Sequence, residues 1–246
     1  MSDMLADLLS TGFDGATAVV TGGAGGVGAA VVRQLVVQGA RVVVASRNGD
    51  ALDPGRAAPA CGEAITAALD LTDPVSIRAF ADWAGTVVGR IDILVNSAGV
   101  TRSVPLDQID QLDDALIDLV MTSNATGVIR LIRDLRPLLD RGEKPCIVNI
   151  SSVAARTGVG SNIAYIGAKA AMDGVTKALA KALAPRIRVL GVAPSALDTP
   201  FAKGRGQDFI DRTVAATPLG RLATTTEVAN AVLCAARLLT ATTGVV

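Results

Sequence analysis

Short runs of apolar, mostly β-branched residues alternate along the chain with longer stretches in which apolar side chains recur every three to four positions. Residues 16–20, 41–45, 64–70, 91–96, 146–150 and 187–193 read as strands buried on both faces, because their apolar runs are nearly continuous and do not alternate with polar residues. Helical periodicity between successive strands predicts parallel crossovers, and with them a single doubly wound α/β domain with helices on both faces of one sheet.

The helix ends carry local signals. Gly39 closes the first, Asp73 and Pro74 open another as N-cap and first helical residue, and Gly89 closes that one. A long helical stretch over residues 112–139 holds Asn124, Thr126 and Gly127 in its middle, where helix propensity is poor, so a local irregularity is expected there. Further helices are predicted over 162–184 and 226–239, with a polar loop marked by Pro and Gly over 194–220 between the last strand and the last helix, which is expected to cover the substrate. Residues 48–63, rich in Gly and Pro, read as a surface excursion, and residues 243–246 read as the start of another strand, either cut short or unusually brief.

Composition narrows the function classes. The 246 residues suit one α/β domain with one active site. Half are apolar, yet no apolar run reaches the length needed to span a bilayer, so no membrane association is expected. Residues 1–13 carry Asp3 and Asp7 without Lys or Arg, the wrong charge for a secretory or transit leader, and the default address is cytoplasmic. The 23 basic and 23 acidic residues are mixed along the chain and leave no footprint for nucleic acid; the partner expected is a small molecule. Cys61, Cys146 and Cys234 are spaced for neither a disulfide framework nor a zinc site, and read as reduced fillers. The chain has no histidine, which removes Ser-His-Asp and Cys-His nucleophiles and His-ligated metals together; no metal is expected, and acid-base chemistry falls to carboxylates, Tyr, Lys or Cys.

Two motifs carry chemistry. After the first strand the chain runs Thr21-Gly22-Gly23-Ala24-Gly25-Gly26-Val27-Gly28 into a helix, which places glycines where backbone must approach a pyrophosphate at the positive end of a helix. No Lys-Ser or Lys-Thr follows, which disfavours a P-loop. Tyr165, the one tyrosine, precedes Lys169 by four residues on a predicted helix, so both project from one face and the cation can act on the phenol. Ser152 follows the strand over 146–150, at the carboxyl edge where open parallel sheets bind ligands; Ser151 is the alternative hydroxyl.

On these residues the chain resembles the short-chain dehydrogenase/reductase family, and its 3-oxoacyl-acyl-carrier-protein reductase branch in particular, from about Gly15 onward. Gly22, Gly26 and Gly28 match the family's cofactor motif, Asn96-Ser97-Ala98-Gly99 its Asn-Asn-Ala-Gly motif with one substitution, and Tyr165 to Lys169 its catalytic motif. The resemblance implies a Rossmann-type sheet and an Asn124-Ser152-Tyr165-Lys169 tetrad. It further implies a nicotinamide cofactor, held by Gly22, Gly26, Val27 and Gly28, by Asp70 and Leu71 at the adenine, by Asn96, Ala98 and Gly99 beside the sheet, by Lys169 with Tyr165 at the ribose, and by Pro194, Leu197 and Thr199 at the carboxamide. Asp70 has a second reading as a cap of its strand end. Ser195 replaces the glycine usual after this proline, and the family's Val-Asp-Gly-Gly ending does not follow Val246, which leaves both a homotetramer and a homodimer open.

Hydride transfer between that cofactor and a ketone or secondary alcohol is the function expected, with 3-oxoacyl or other small aliphatic and alicyclic carbonyls as default substrates and apolar Val153, Val159, Leu197 and Phe201 about them. A catalytically silent NAD(P)-sensing protein is the alternative and predicts a damaged tetrad; a Rossmann-fold methyltransferase has no use for Tyr165 and Lys169. Ser46 and Arg47 at the end of the second strand favour NADPH, with NAD as the alternative: Ser46 stands where NAD-selective sites keep an acid, and Arg47 offers a guanidinium to a 2′-phosphate. The other reading of Arg47 is a plain surface side chain. Arg130, Arg133 and Arg136 read as a solvated helix face.

Overall fold

The computed structural model describes residues 12–49, 62–197, 199 and 207–246. Residues 1–11 and 50–61, with Cys61 and most of the predicted surface excursion among them, and Phe201 lie outside the described residues. Six parallel strands form one sheet: β1 (Thr17–Thr21), β2 (Arg41–Ser46), β3 (Glu63–Ala68), β4 (Ile93–Asn96), β5 (Cys146–Ile150) and β6 (Arg188–Val192), in the order β3-β2-β1-β4-β5-β6. The strand order reverses between β1 and β4, and in such sheets the ligand crevice opens at that switch, beyond the carboxyl ends of the strands.

One face is covered by α1 (Gly26–Val37), the other by α2 (Pro74–Val87). On the α1 side Val20, Val44 and Val148 face Val32, Leu35 and, from the last helix, Val232. On the α2 side Val19, Leu94 and Ile147 face Ile77, Leu131 and Leu135. Asp73 caps α2, its carboxylate accepting the Val75 N–H at 2.8 Å, with Pro74 in the first turn as the sequence predicts.

The long predicted helix is three pieces: α3 (Asp114–Met121), a π turn (Thr122–Thr126) and α4 (Gly127–Leu139). The irregularity expected at Asn124 is thus a π turn, in which the Gly127 N–H reaches the Thr122 carbonyl. Taken together, Asp114–Leu139 has the length and composition to cross a membrane, contrary to the sequence expectation, but half of its most apolar stretch is buried within the fold. Arg133 and Arg136 pair with Asp134 and Asp140 on its outer face.

A short α5 (Ala154–Thr157) follows β5 and leads to α6 (Ile163–Leu183), capped by Asn162, whose Oδ1 accepts the Tyr165 N–H at 2.7 Å. After β6 the structure departs from expectation: the predicted loop over 194–220 contains a helix, α7 (Gln207–Ala216). Gly204, Gly206 and the polar run Asp211-Arg212-Thr213 masked its short amphipathic period. The last helix, α8 (Thr225–Arg237), starts in a capping box of Thr224 and Glu227. Beyond it the tail runs along β6, where the Gly244 N–H donates to the Val189 carbonyl and the Gly191 N–H to the Val245 carbonyl, both at 2.8 Å.

Candidate active site

The glycine turn between β1 and α1 is shaped by close backbone approach. Gly22 has φ +65°, and a side chain there would strike the Ala98 Cα at 2.8 Å; a Cβ on Gly28 would meet the Gly22 carbonyl oxygen at 2.3 Å. The turn is pinned to β2 by the Gly22 N–H, 2.8 Å from the Ala45 carbonyl. Thr21 closes its other side, its hydroxyl accepting the Ser97 and Ala98 N–H groups at 3.1 and 3.0 Å. At Gly25 and Gly26, by contrast, an added Cβ meets nothing within 4 Å. That open space lies at the N-terminus of α1, where backbone N–H groups have no helical partner and favour an anion, so the turn fits a phosphate-bearing ligand.

Across the switch, a cavity of about 770 Å³ joins this turn to β5 and α6. Its wall contains Gly22, Gly26, Val27, Ala98, Gly99, Ser152, Tyr165, Lys169, Pro194, Leu197 and Thr199 of the residues expected from sequence. The other seven stand off that wall: Gly28 beneath the turn, Asn96 and Asn124 buried behind, and Ser46, Arg47, Asp70 and Leu71 at and beyond the ends of β2 and β3.

Each of these has its own surroundings. The Asp70 carboxylate accepts the backbone N–H and hydroxyl of Thr72 at 2.8 and 2.7 Å, which holds it below the usual carboxylate range with help from the charge of Arg47. These bonds close a turn between β3 and α2 on the Asp70 side chain. Leu71 lies against the start of α4, where Gly127 allows the approach: a Cβ there would sit 2.2 Å from the Leu71 carbonyl oxygen. Asn96 donates through Nδ2 to Asn149 Oδ1 at 2.8 Å, and Asn149 donates onward to the Thr176 hydroxyl at 2.9 Å, a buried polar chain from β4 through β5 to α6. Asn124 donates to the carbonyls of Val100 and Val120 at 2.9 and 2.8 Å, while Asn96 Oδ1 and Asn124 Oδ1 are buried without a partner among the described residues. Unpaired buried acceptors are costly and mark places where water or ligand belongs.

On α6 the Lys169 ammonium lies 5.7 Å from the centre of the Tyr165 ring and donates to the Ile150 carbonyl at 2.7 Å. Burial pulls it from 10.5 down to about 8, against the charge of Asp173. The two serines after β5 are inequivalent. Ser151 is buried and donates its hydroxyl to Asp173, whereas Ser152 is half-buried and its Oγ accepts the Ala154 N–H at 3.2 Å.

Sequence reasoning missed Gly25, a second open glycine on the cavity wall, and the Asp173 partner of Ser151, although Asp173 follows Lys169 by one helical turn. The segment expected to cover the substrate does line the cavity, through Thr213, Ala216, Thr217 and Pro218, but Thr213 and Ala216 reach it from a helix where the sequence reading had a loop.

The short chain dehydrogenase family profile matches residues 16–209, and the chain belongs to that family of oxidoreductases, which use nicotinamide cofactors on small-molecule substrates. Among individual relatives, it is 36% identical over 217 residues to cis-4-hydroxycyclohexanecarboxylate dehydrogenase of Sinomonas cyclohexanicum, covering 87% of this chain and 86% of that one. It is 34% identical over 223 residues to the 3-oxoacyl-acyl-carrier-protein reductase FabG of Escherichia coli K12, covering 89% of each. The crystal structure of a Brucella melitensis protein described as a short-chain dehydrogenase/reductase of the glucose/ribitol dehydrogenase type superposes with a TM-score of 0.86 at 29% identity, covering 96% of each chain.

Proposed function

We propose that the chain is an NADPH-preferring reductase of ketones, and dehydrogenase of the matching secondary alcohols, working through Asn124, Ser152, Tyr165 and Lys169. The observation that carries this reading is that one cavity has in its wall both the open glycine turn and the Ser152, Tyr165 and Lys169 side chains. The backbone at Gly22, Gly26, Val27 and Gly28 would hold the pyrophosphate, Asp70 and Leu71 the adenine end, Asn96, Ala98 and Gly99 the middle, and Pro194, Leu197 and Thr199 the nicotinamide end. A bound nicotinamide supplies hydride in reduction and accepts it in oxidation.

In the reductive direction the Tyr165 phenol donates its proton to the carbonyl oxygen, while the Ser152 hydroxyl donates a hydrogen bond to that oxygen and stabilises its developing charge. The Lys169 ammonium stabilises the phenolate that remains and holds the ribose hydroxyls. Asn124, with its unpaired buried Oδ1, holds a water through which Lys169 exchanges protons with solvent. Oxidation reverses each transfer. Ser46 and Arg47 favour the 2′-phosphate of NADPH, with NAD as the alternative.

The substrate reading is a small aliphatic or alicyclic ketone, or a 3-oxoacyl thioester. Its support is the apolar wall of Val153, Val159, Leu197 and Ala216 and the names of the relatives, one acting on a substituted cyclohexane and one on 3-oxoacyl groups. A cytoplasmic homotetramer or homodimer completes the reading, and sedimentation of the purified chain tests the assembly. The decisive experiment assays cyclic ketones, 3-oxoacyl thioesters and their alcohols against both cofactors. Oxidation of NADPH by a ketone, lost in Tyr165→Phe, is expected. Bound cofactor with no turnover of any carbonyl or alcohol would instead favour the catalytically silent sensor.

A further inference from the structure

Asp173 follows Lys169 by one turn of α6, so the two side chains leave the helix on the same face. Both are buried, with 8% and 6% of their surface exposed. Lys169 donates to the Ile150 carbonyl at 2.7 Å, and the next residue, Ser151, donates its hydroxyl to the Asp173 carboxylate. Two consecutive residues at the exit of β5 are thus each gripped by one charged side chain of α6, and the residue after them is Ser152. The Ser151 N–H, 2.8 Å from the Val192 carbonyl, fixes the same point to β6.

We propose that Asp173 is a positioning residue for the reaction: through Ser151 it clasps the strand end that carries Ser152 to the helix that carries Tyr165, and it sets a carboxylate one helical turn from the buried Lys169 ammonium. The inference rests on the function proposed above. Burial already draws Lys169 down to about 8, and Asp173 is the charge that opposes this. Without it desolvation acts alone, and Lys169 becomes neutral at a lower pH. Other charges around Lys169 do not replace it. Arg156 on α5 lies 3.6 Å from the Asp173 carboxylate and works in the opposite sense on Lys169. Arg188 on β6 donates to the carbonyls of Ala235, Ala236 and Leu239, Asp114 and Asp118 on α3 are exposed, and Tyr165 is the one remaining titratable group of α6 in contact with Lys169. The mostly exposed Arg156 makes its own pairing a weak contributor to stability, so the clasp to Ser151 and the charge on Lys169 are what Asp173 provides.

The test begins without cofactor or substrate. The chain contains five lysines, Lys144, Lys169, Lys177, Lys181 and Lys203, so carbon-13-lysine spectra are simple, and Lys169→Met identifies the signal of interest. In Asp173→Asn, which retains an oxygen acceptor for Ser151, the Lys169 midpoint should fall by about one pH unit. The alkaline limb of turnover should move down with it. Ser151→Ala removes the clasp and keeps the charge, so it should lower kcat more than KM and leave the lysine midpoint in place. Should Asp173→Asn not fold, Arg156→Ala keeps Asp173, removes the opposing cation, and should raise the midpoint. A Lys169 midpoint unmoved in the folded variant, or turnover reduced equally at every pH, would overturn the proposal. Because the titration needs no turnover, a parent inactive on every carbonyl counts against the proposed function alone.

Discussion

On the β1 side of the crevice the site is made of backbone: Gly22 against Ala98, Gly28 against the Gly22 carbonyl, and Gly25 and Gly26 opening onto space. On the β5 side it is made of side chains, with Lys169 on the Ile150 carbonyl, Asp173 on the Ser151 hydroxyl and Asn149 bridging Asn96 to Thr176. The first region works by shape, and changes there should register in cofactor affinity and stability. The second works by charge and proton position, and changes there should register in turnover and pH dependence.

The sharpest separation is expected from Tyr165→Phe. It deletes one oxygen on the β5 side, so turnover should fall by roughly two to four orders of magnitude while cofactor affinity, followed by fluorescence titration, stays close to that of the parent. Near-normal turnover would remove Tyr165 from the chemistry and leave the β5 side without an acid. Lys169→Ala crosses the divide, because the proposed function gives its ammonium both the ribose and the phenol, and it should weaken both affinity and turnover.

Next in size is the cofactor ratio. In Ser46→Asp combined with Arg47→Ile, the preference for NADPH over NADH should shift toward NADH by about 10- to 100-fold, the worth of a charge-assisted contact to phosphate. Arg47 also faces Asp70, whose carboxylate it helps keep ionised. A parent that prefers NADH, or a ratio that does not move, would leave Arg47 as a surface partner of Asp70.

The shape side is tested by two glycines. In Gly28→Ala the new methyl meets the Gly22 carbonyl oxygen at 2.3 Å, and a loss of about 1–3 kcal/mol in the cofactor-free protein is expected from urea unfolding. Gly25 has an ordinary extended backbone (φ −150°) and open space, so Gly25→Ala should change stability by no more than about 0.5 kcal/mol yet weaken the cofactor. Equal affinity in Gly25→Ala and parent would mean that the open space is not where the ligand lies.

The two regions also differ in how well the amino-acid sequence announces them. The strand-turn-helix with its spaced glycines is local, and local backbone demands leave marks at fixed offsets. Asn124 stood out because a poor helix former in mid-helix needs a reason, and the π turn is that reason. Asp173 left no such mark: its partner Ser151 is 22 positions away, and only the packing of α6 on β5 brings them together. The helix over Gln207–Ala216 was hidden for a different cause, since glycines before it and polar residues within it look like loop until its apolar side is seen lining the cavity with Ala216.

The last comparison separates the regions by pH alone. Lys169 is buried and drawn from 10.5 to about 8, so between those values the unfolded chain binds a proton at this residue that the folded chain does not. Stability rises with pH wherever the unfolded state holds more protons, so the penalty for burying this ammonium is full below about pH 8 and is relieved as the pH climbs toward 10.5. Lys169→Met has nearly the same length and no charge to bury. It also strands the Ile150 carbonyl, but that loss does not titrate. The difference in unfolding temperature between Lys169→Met and parent should therefore drift by a few degrees per pH unit in favour of the parent within this window, while the Gly25→Ala difference stays flat. Groups remote from Lys169 cancel in each difference, and placing both proteins in a Tyr165→Phe background removes the phenol that titrates beside it. A Lys169→Met difference as flat as that of Gly25→Ala would mean that the ammonium is solvated in the fold, and the division between a region of shape and a region of charge would lose its main support.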